Sequence, residues 1–207
     1  MKNNLTEIVF ILDRSGSMDS LVADTIGGFN SFIETQKQEY GEALLTTILF
    51  DDQYEILHNG IDIKTVKPMT TKEYSARGMT ALLDAIGKTI NTVGDRLNKL
   101  NEDNRPSKVI FVITTDGQEN QSKEFNRKQI KEMIEHQTNT YNWQFLFLGA
   151  NIDAVGTAQS FGISGQFASN YTANSIGTDS LYTSLSKSVC NYRSVGAMDT
   201  SWKDDIK

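Results

Sequence analysis

Three oxygen-bearing side chains stand at alternate positions in Asp13-Arg14-Ser15-Gly16-Ser17, directly after the uninterrupted apolar run Ile8 to Leu12. In an extended or gently turning loop, alternate side chains point the same way, so Asp13, Ser15 and Ser17 converge on one spot. A second apolar run, Val109 to Ile113, passes through Thr114-Thr115 into Asp116-Gly117. If the two runs are neighbouring strands, Asp13 and Asp116 face one small space. Like charges at close range raise each other's pKa, and a divalent cation between them reverses the sign of the effect. A third loop, Ser75 to Leu82, carries Thr80, whose hydroxyl is placed either to cap the helix that follows or to face a metal.

Hydroxyls and carboxylates without Cys or His select a hard cation. Zinc takes N and S ligands in a closed tetrahedron, whereas Mg²⁺ accepts a few protein oxygens and keeps several waters. Mg²⁺ is therefore the first choice, Mn²⁺ the next, and Ca²⁺ the last of the three. Neutral Ser and Thr ligands leave much of the ion's charge unanswered, so the ion seeks an anionic ligand from outside. Any one of these loops alone is equally well a polar turn with Asx and Ser capping bonds; the three together favour the metal. Asp51-Asp52 reads as a solvated hairpin turn, and neither His58 nor His136 is placed as a ligand.

The elements that must position these loops alternate. Ile8 to Leu12, Val109 to Ile113 and Phe145 to Leu148 are apolar on both faces, as strands buried inside a parallel sheet are. Leu82, Ile86, Ile90, Val93, Leu97 and Leu100 mark one face of a long helix. Weaker helical patterns follow Met18 and Ser122 and begin near Ile152 and Thr178. Gly27-Gly28 inside the first of them is unfavourable by roughly 1 kcal/mol per residue relative to Ala, unless the backbone packs close to the sheet. Leu44 to Phe50 and Tyr54 to Leu57 are too close for a crossover helix and form an antiparallel edge hairpin. Phe167 to Tyr171 supplies a sixth strand. The expected fold is α/β: a Rossmann-like, doubly wound, mostly parallel six-stranded sheet with one antiparallel edge strand and helices on both faces. Such sheets place ligands at the C-terminal ends of their strands, where the three loops lie.

Composition sets the outer limits. A single domain is expected over 1–207, with its core at about 5–193 and a C-terminal tail at 194–207 whose Trp202 has no readable place. The net charge of −6 supplies no basic stripe for a phosphate backbone, so no nucleic-acid partner is expected. Cys190 is alone, which allows no internal disulfide and reads as a packing residue. No signal-peptide pattern opens the chain, and no apolar run approaches the roughly 20 residues that span a bilayer. A cytoplasmic protein without a membrane partner is expected.

Asp13, Ser15, Ser17, Thr80 and Asp116 resemble, in order and approximate spacing, the DxSxS…T…D pattern of the metal-ion-dependent adhesion site (MIDAS) of von Willebrand factor type A (vWA) domains. The resemblance runs from about Thr6 to Tyr192, includes the edge hairpin, and is greatest to stand-alone bacterial members. It implies an intact MIDAS in which Ser15, Ser17 and Thr80 ligate the ion, directly or through water. Asp13 and Asp116 would hold coordinating waters and orient the hydroxyls, and an Asp or Glu carboxylate of a partner protein would complete the shell. Glu119 is an additional acid beside the site. Arg14, Met18, Arg77, Met79 and Gln118 are then the rim that chooses the partner. The function expected is a metal-dependent protein-binding module and not an enzyme. The alternative is a Mg²⁺-dependent hydrolase or phosphoryl-transfer enzyme. Against it stand the absence of a GxxxxGK[ST] loop, of a GxSxG elbow and of a His beside the loops, and Ser15 at the second acidic position of a DxD arrangement.

Overall fold

A computed structural model describes residues 1–206. Six strands form one sheet in the order β3-β2-β1-β4-β5-β6. They are β1 (Lys2–Asp13), β2 (Glu42–Phe50), β3 (Tyr54–Asp62), β4 (Pro106–Thr115), β5 (Gln144–Ala150) and β6 (Ala168–Tyr171). All pairings are parallel except β2 with β3, the edge hairpin. The fold expected from the apolar runs is the fold observed. The main difference is β3, which continues past Leu57 to Asp62 through His58, Asn59 and Gly60. An edge strand exposed on one side tolerates polar residues, so hydropathy ended it too early.

Among the described residues, five α-helices cover the sheet: α1 (Val22–Gln38), α2 (Leu82–Asn98), α3 (Arg127–Tyr141), α4 (Ala154–Ser160) and α5 (Ser175–Val195). Successive residues of β1 point to opposite faces and seed two cores. Ile8, Phe10 and Leu12 pack with α1 and α5, while Val9 and Ile11 pack with α2, α3 and α4. Phe10 is wholly buried, with its ring edge-on to Phe29 at 5.3 Å and to Phe32 at 4.9 Å. Truncating such a residue to Ala costs about 3–5 kcal/mol.

Two local expectations are corrected. Gly28 does not serve contact with the sheet: a Cβ there would lie 2.1 Å from the ring of Tyr182, so the glycine seats α5 against α1. The chain after Met18 does not enter α1 directly, because a 3-10 turn over Gly16–Leu21 comes first. The C-terminal segment also finds its place: Trp202 is buried and donates from Nε1 to the Gln166 carbonyl at 2.9 Å. Cys190 is unpaired and half-buried beside Gln36.

Candidate metal centre

The pairing of β1 with β4 puts Leu12 level with Thr114, so Asp13 and Asp116 emerge side by side at the C-terminal edge of the sheet. Asp13 is completely buried. Its Oδ1 accepts from the Ser15 amide at 2.7 Å and its Oδ2 from the Thr115 hydroxyl at 2.5 Å. The Tyr74 hydroxyl donates to the Asp13 carbonyl, also at 2.5 Å. Burial pushes the Asp13 carboxyl up to about 6, against the opposing pull of the Thr115 and Ser15 donors. Burial also raises Asp116, which accepts from the Ser17 hydroxyl at 2.5 Å. The Ser15 and Ser17 hydroxyl oxygens are 3.1 Å apart.

Thr80 reaches the same place from the other side. A Cβ placed on Gly117 would lie 3.0 Å from Thr80 Oγ1, 3.3 Å from Ser17 Oγ and 3.8 Å from Ser15 Oγ. Three hydroxyls on two separate loops therefore surround one point, and the missing side chain at Gly117 leaves that point open. Thr80 does not cap α2, as one reading of the sequence had it. Ala81 occupies the cap position without a side-chain bond, and the Thr80 hydroxyl has no hydrogen-bond partner among the described residues. Although the residue is nearly buried, its hydroxyl oxygen is not among the buried polar atoms left without a partner, so it stands open to solvent or to a ligand.

The acids neighbouring the site have other occupations. Glu119, an additional acid at sequence level, is spent on α2: its Oε2 accepts from the Leu83 amide at 2.9 Å, and its Oε1 from the Gln121 and Ser122 amides. An anion there also suits the positive end of the helix. In return, Asp84 of α2 accepts from the amides of Lys123, Glu124 and Phe125, all at 2.9 Å. Asn120 and Thr80 exchange a pair of bonds, Thr80 N to Asn120 Oδ1 at 3.0 Å and Asn120 N to Thr80 O at 3.1 Å. This latch joins the loop after β4 to the loop before α2. It was not read from the sequence, because Glu, Asn and Ser in "QENQS" carry no period or motif.

Two rim expectations also change. Arg14 and Met18 are buried, and only Arg77, Met79 and Gln118 of the expected rim reach solvent. Asp51 is no solvated turn residue: it is completely buried between Arg14 and Arg77. Beside Gly117 a recess of about 230 Å³ opens between Leu82, Ile152, Phe161 and Arg127.

Among the described residues, no three His, Cys, Asp or Glu side chains cluster to hold a metal by themselves. Hydroxyl oxygens must therefore be counted for any ion here, and they suit a hard cation. No helix among the described residues is long and apolar enough to cross a membrane.

No protein-family model matches the sequence, and no curated protein does. Solved structures do. Proximal thread matrix protein 1 from the mussel byssus, with a zinc-occupied MIDAS motif, is 15% identical over 89% of this chain at a TM-score of 0.63. The manganese-loaded TRAP protein of Plasmodium vivax is 18% identical over 84% of this chain at 0.60. The ArnB paralog VWA2 of Sulfolobus acidocaldarius is 16% identical over 89% at 0.57. The chain spans 46%, 70% and 45% of those three chains, respectively. At such identities the likeness carries the fold alone, and that fold is the vWA fold.

Proposed function

We propose that this chain is a divalent-metal-dependent protein-binding module, with an ion held at Ser15, Ser17 and Thr80 and oriented by Asp13 and Asp116. The observation that carries the reading is the ring of three hydroxyls around one point at Gly117, flanked by two carboxylates that burial keeps above their usual range. The open Thr80 hydroxyl and a donor set made of oxygens alone fit Mg²⁺ or Mn²⁺ better than zinc, and Ca²⁺ less well. An ion bound mainly by neutral oxygens supplies Lewis acidity toward one more anion, and an Asp or Glu carboxylate of a partner protein is the group proposed. Arg77, Met79, Gln118 and the recess beside Gly117 would then contact the partner around that carboxylate. A zinc-occupied MIDAS and a manganese-loaded chain among the structural neighbours support a divalent ion at this place in the fold. The proposed setting is cytoplasmic, in keeping with an unpaired Cys190.

The test is calorimetric titration of the protein with MgCl₂ and MnCl₂, followed by capture of partners in Mg²⁺ and in EDTA. Saturable binding that Ser17→Ala weakens, and a partner retained only with metal, are the expected results. No uptake of either ion at millimolar concentration overturns the proposal, and phosphate-ester hydrolysis in Mg²⁺ that is lost in Asp13→Ala would replace it with the enzymatic alternative.

A further inference from the structure

Two of the ligand loops and the β2–β3 turn meet at one carboxylate. Asp51 Oδ2 accepts from Arg77 Nε at 2.6 Å and lies 3.3 Å from Arg14 Nε, while Oδ1 accepts from the Gln53 amide at 2.6 Å. Arg14 stands between Asp13 and Ser15, and Arg77 stands three residues before Thr80. The Arg14 guanidinium is buried and also lies 2.9 Å from Glu55, paired by charge at angles outside hydrogen-bond geometry.

The backbone repeats the connection. Arg14 N donates to Phe50 O at 2.8 Å, Arg77 N to Arg14 O at 2.8 Å, Gly16 N to Gly78 O at 3.2 Å and Ala81 N to Asp51 O at 3.0 Å. Gly78 has a φ of +68°, and a Cβ there would lie 2.1 Å from Asp52 Oδ1 and 3.2 Å from Asp51 Cβ. The Thr80 loop is therefore pressed against the hairpin turn, in a conformation that favours glycine.

Removing a carboxylate wholly from water is unfavourable unless its charge and lone pairs are answered, and an apolar residue of similar size can serve stability equally well. What a buried ion pair adds is a fixed geometry. Thr80 needs one, because residues 66–81 form neither helix nor strand. We infer that Asp51 is a positioning residue of the metal centre: by clamping Arg14 and Arg77 it holds the Ser15 and Ser17 hydroxyls and the Thr80 hydroxyl at one spacing. This inference rests on the metal-binding reading above.

Coulomb attraction and positioning predict opposite signs for Arg77, which makes it the decisive residue. Deleting a cation close to a divalent-ion site strengthens ion binding by charge alone. Deleting half of a clamp weakens it. Calorimetric titration with MnCl₂ should find Arg77→Ala weaker than wild type by about tenfold, the usual scale for groups that orient ligands. Its melting temperature should fall, because the buried Asp51 loses one charged partner, yet the protein should still fold, because Arg14 and the Gln53 amide keep their places at that carboxylate. Arg77→Lys, which keeps the charge opposite Asp51, should recover most of the affinity. Asp51→Asn keeps the shape and loses the charge that both guanidiniums share, so its loss should be larger; should it fail to fold, the two Arg77 variants decide. Mn²⁺ binding by Arg77→Ala as tight as wild type, or tighter, overturns the clamp alone. A wild-type protein that takes up no Mn²⁺ overturns the metal reading and the clamp with it.

Discussion

The Ser17 hydroxyl lies 2.5 Å from an Asp116 carboxylate oxygen, although 99 residues separate them in the chain. The contact crosses from the loop after β1 to the loop after β4, and it joins a proposed ligand to a carboxylate proposed to orient it. An ion bound by Ser17 would use the lone pairs of the same oxygen whose proton now points at Asp116, so the two interactions are compatible.

Ser17→Ala should therefore separate stability from metal binding. Ser17 is solvent-exposed as a residue while its acceptor Asp116 is largely buried, so losing this bond should cost about 1–2 kcal/mol in denaturant unfolding and leave the protein folded. Mn²⁺ affinity should fall by about tenfold or more in the same variant. Unchanged affinity would remove Ser17 from the ligand set.

Asp13 gives a pH dependence with a definite sign. Its folded-state pKa of about 6 lies above the ordinary 3.8, so folding disfavours the charged form. The stability this group contributes is present in full below pH 3.8 and is lost as the pH rises through 6. In chelator, the contribution of this residue should decline between pH 4 and 6.5, and Asp13→Asn should flatten the profile over that window. Mg²⁺ or Mn²⁺ should raise the melting temperature at pH 7, since a ligand at 100 times its dissociation constant stabilises by about 2.7 kcal/mol. Urea unfolding across pH, with and without metal, measures both effects.

Gly117→Ala tests the open point itself. The added methyl would lie 3.0 Å from Thr80 Oγ1 and 3.3 Å from Ser17 Oγ, tighter than ordinary contact with both. Gly117 is not among the positive-φ glycines, so Ala brings no backbone strain at this position. The variant should fold with a melting temperature near wild type, and its Mn²⁺ affinity should fall by at least about tenfold. A folded Gly117→Ala protein with wild-type affinity would show that the ion does not use the space between these hydroxyls.

The sheet was legible because its strands announce themselves. Ile8 to Leu12, Val109 to Ile113 and Phe145 to Leu148 are buried on both faces, as continuous apolar runs of that length require. Asp13, Ser15, Ser17 and Asp116 could be read as a spaced pattern after two strands, and Thr80 as a hydroxyl ahead of a helix. What hid was everything that works through the third dimension. Asp51 looked like a turn residue because its partners, Arg14 and Arg77, are distant in sequence. Glu119 was visible only as an additional acid beside the site, because its proximity to Asp116 can be read in the chain while its bond to the Leu83 amide cannot. Gly28 was read against the sheet because periodicity shows that a helix packs, but not on what.

Gly28→Ala would make that last relationship measurable. The methyl would fall 2.1 to 2.7 Å from three ring atoms of Tyr182, a side chain that is itself buried between α1 and α5. Helix propensity alone favours Ala by about 1 kcal/mol, so an isolated α1 would gain from the change. Overpacking opposes it at a cost of typically 1–3 kcal/mol, because the ring must leave its rotamer or α5 must move outward. The net effect should be a loss of stability in urea unfolding, whereas Gly27→Ala, with nothing within 4 Å of its Cβ, should gain. Tyr182→Leu, which removes the ring atoms that the methyl would meet, should relieve part of the Gly28→Ala loss in a double-mutant cycle. Equal behaviour of the two glycine variants would show that α5 yields without cost at this contact, and the pairing of α1 with α5 would then have to be assigned to other residues.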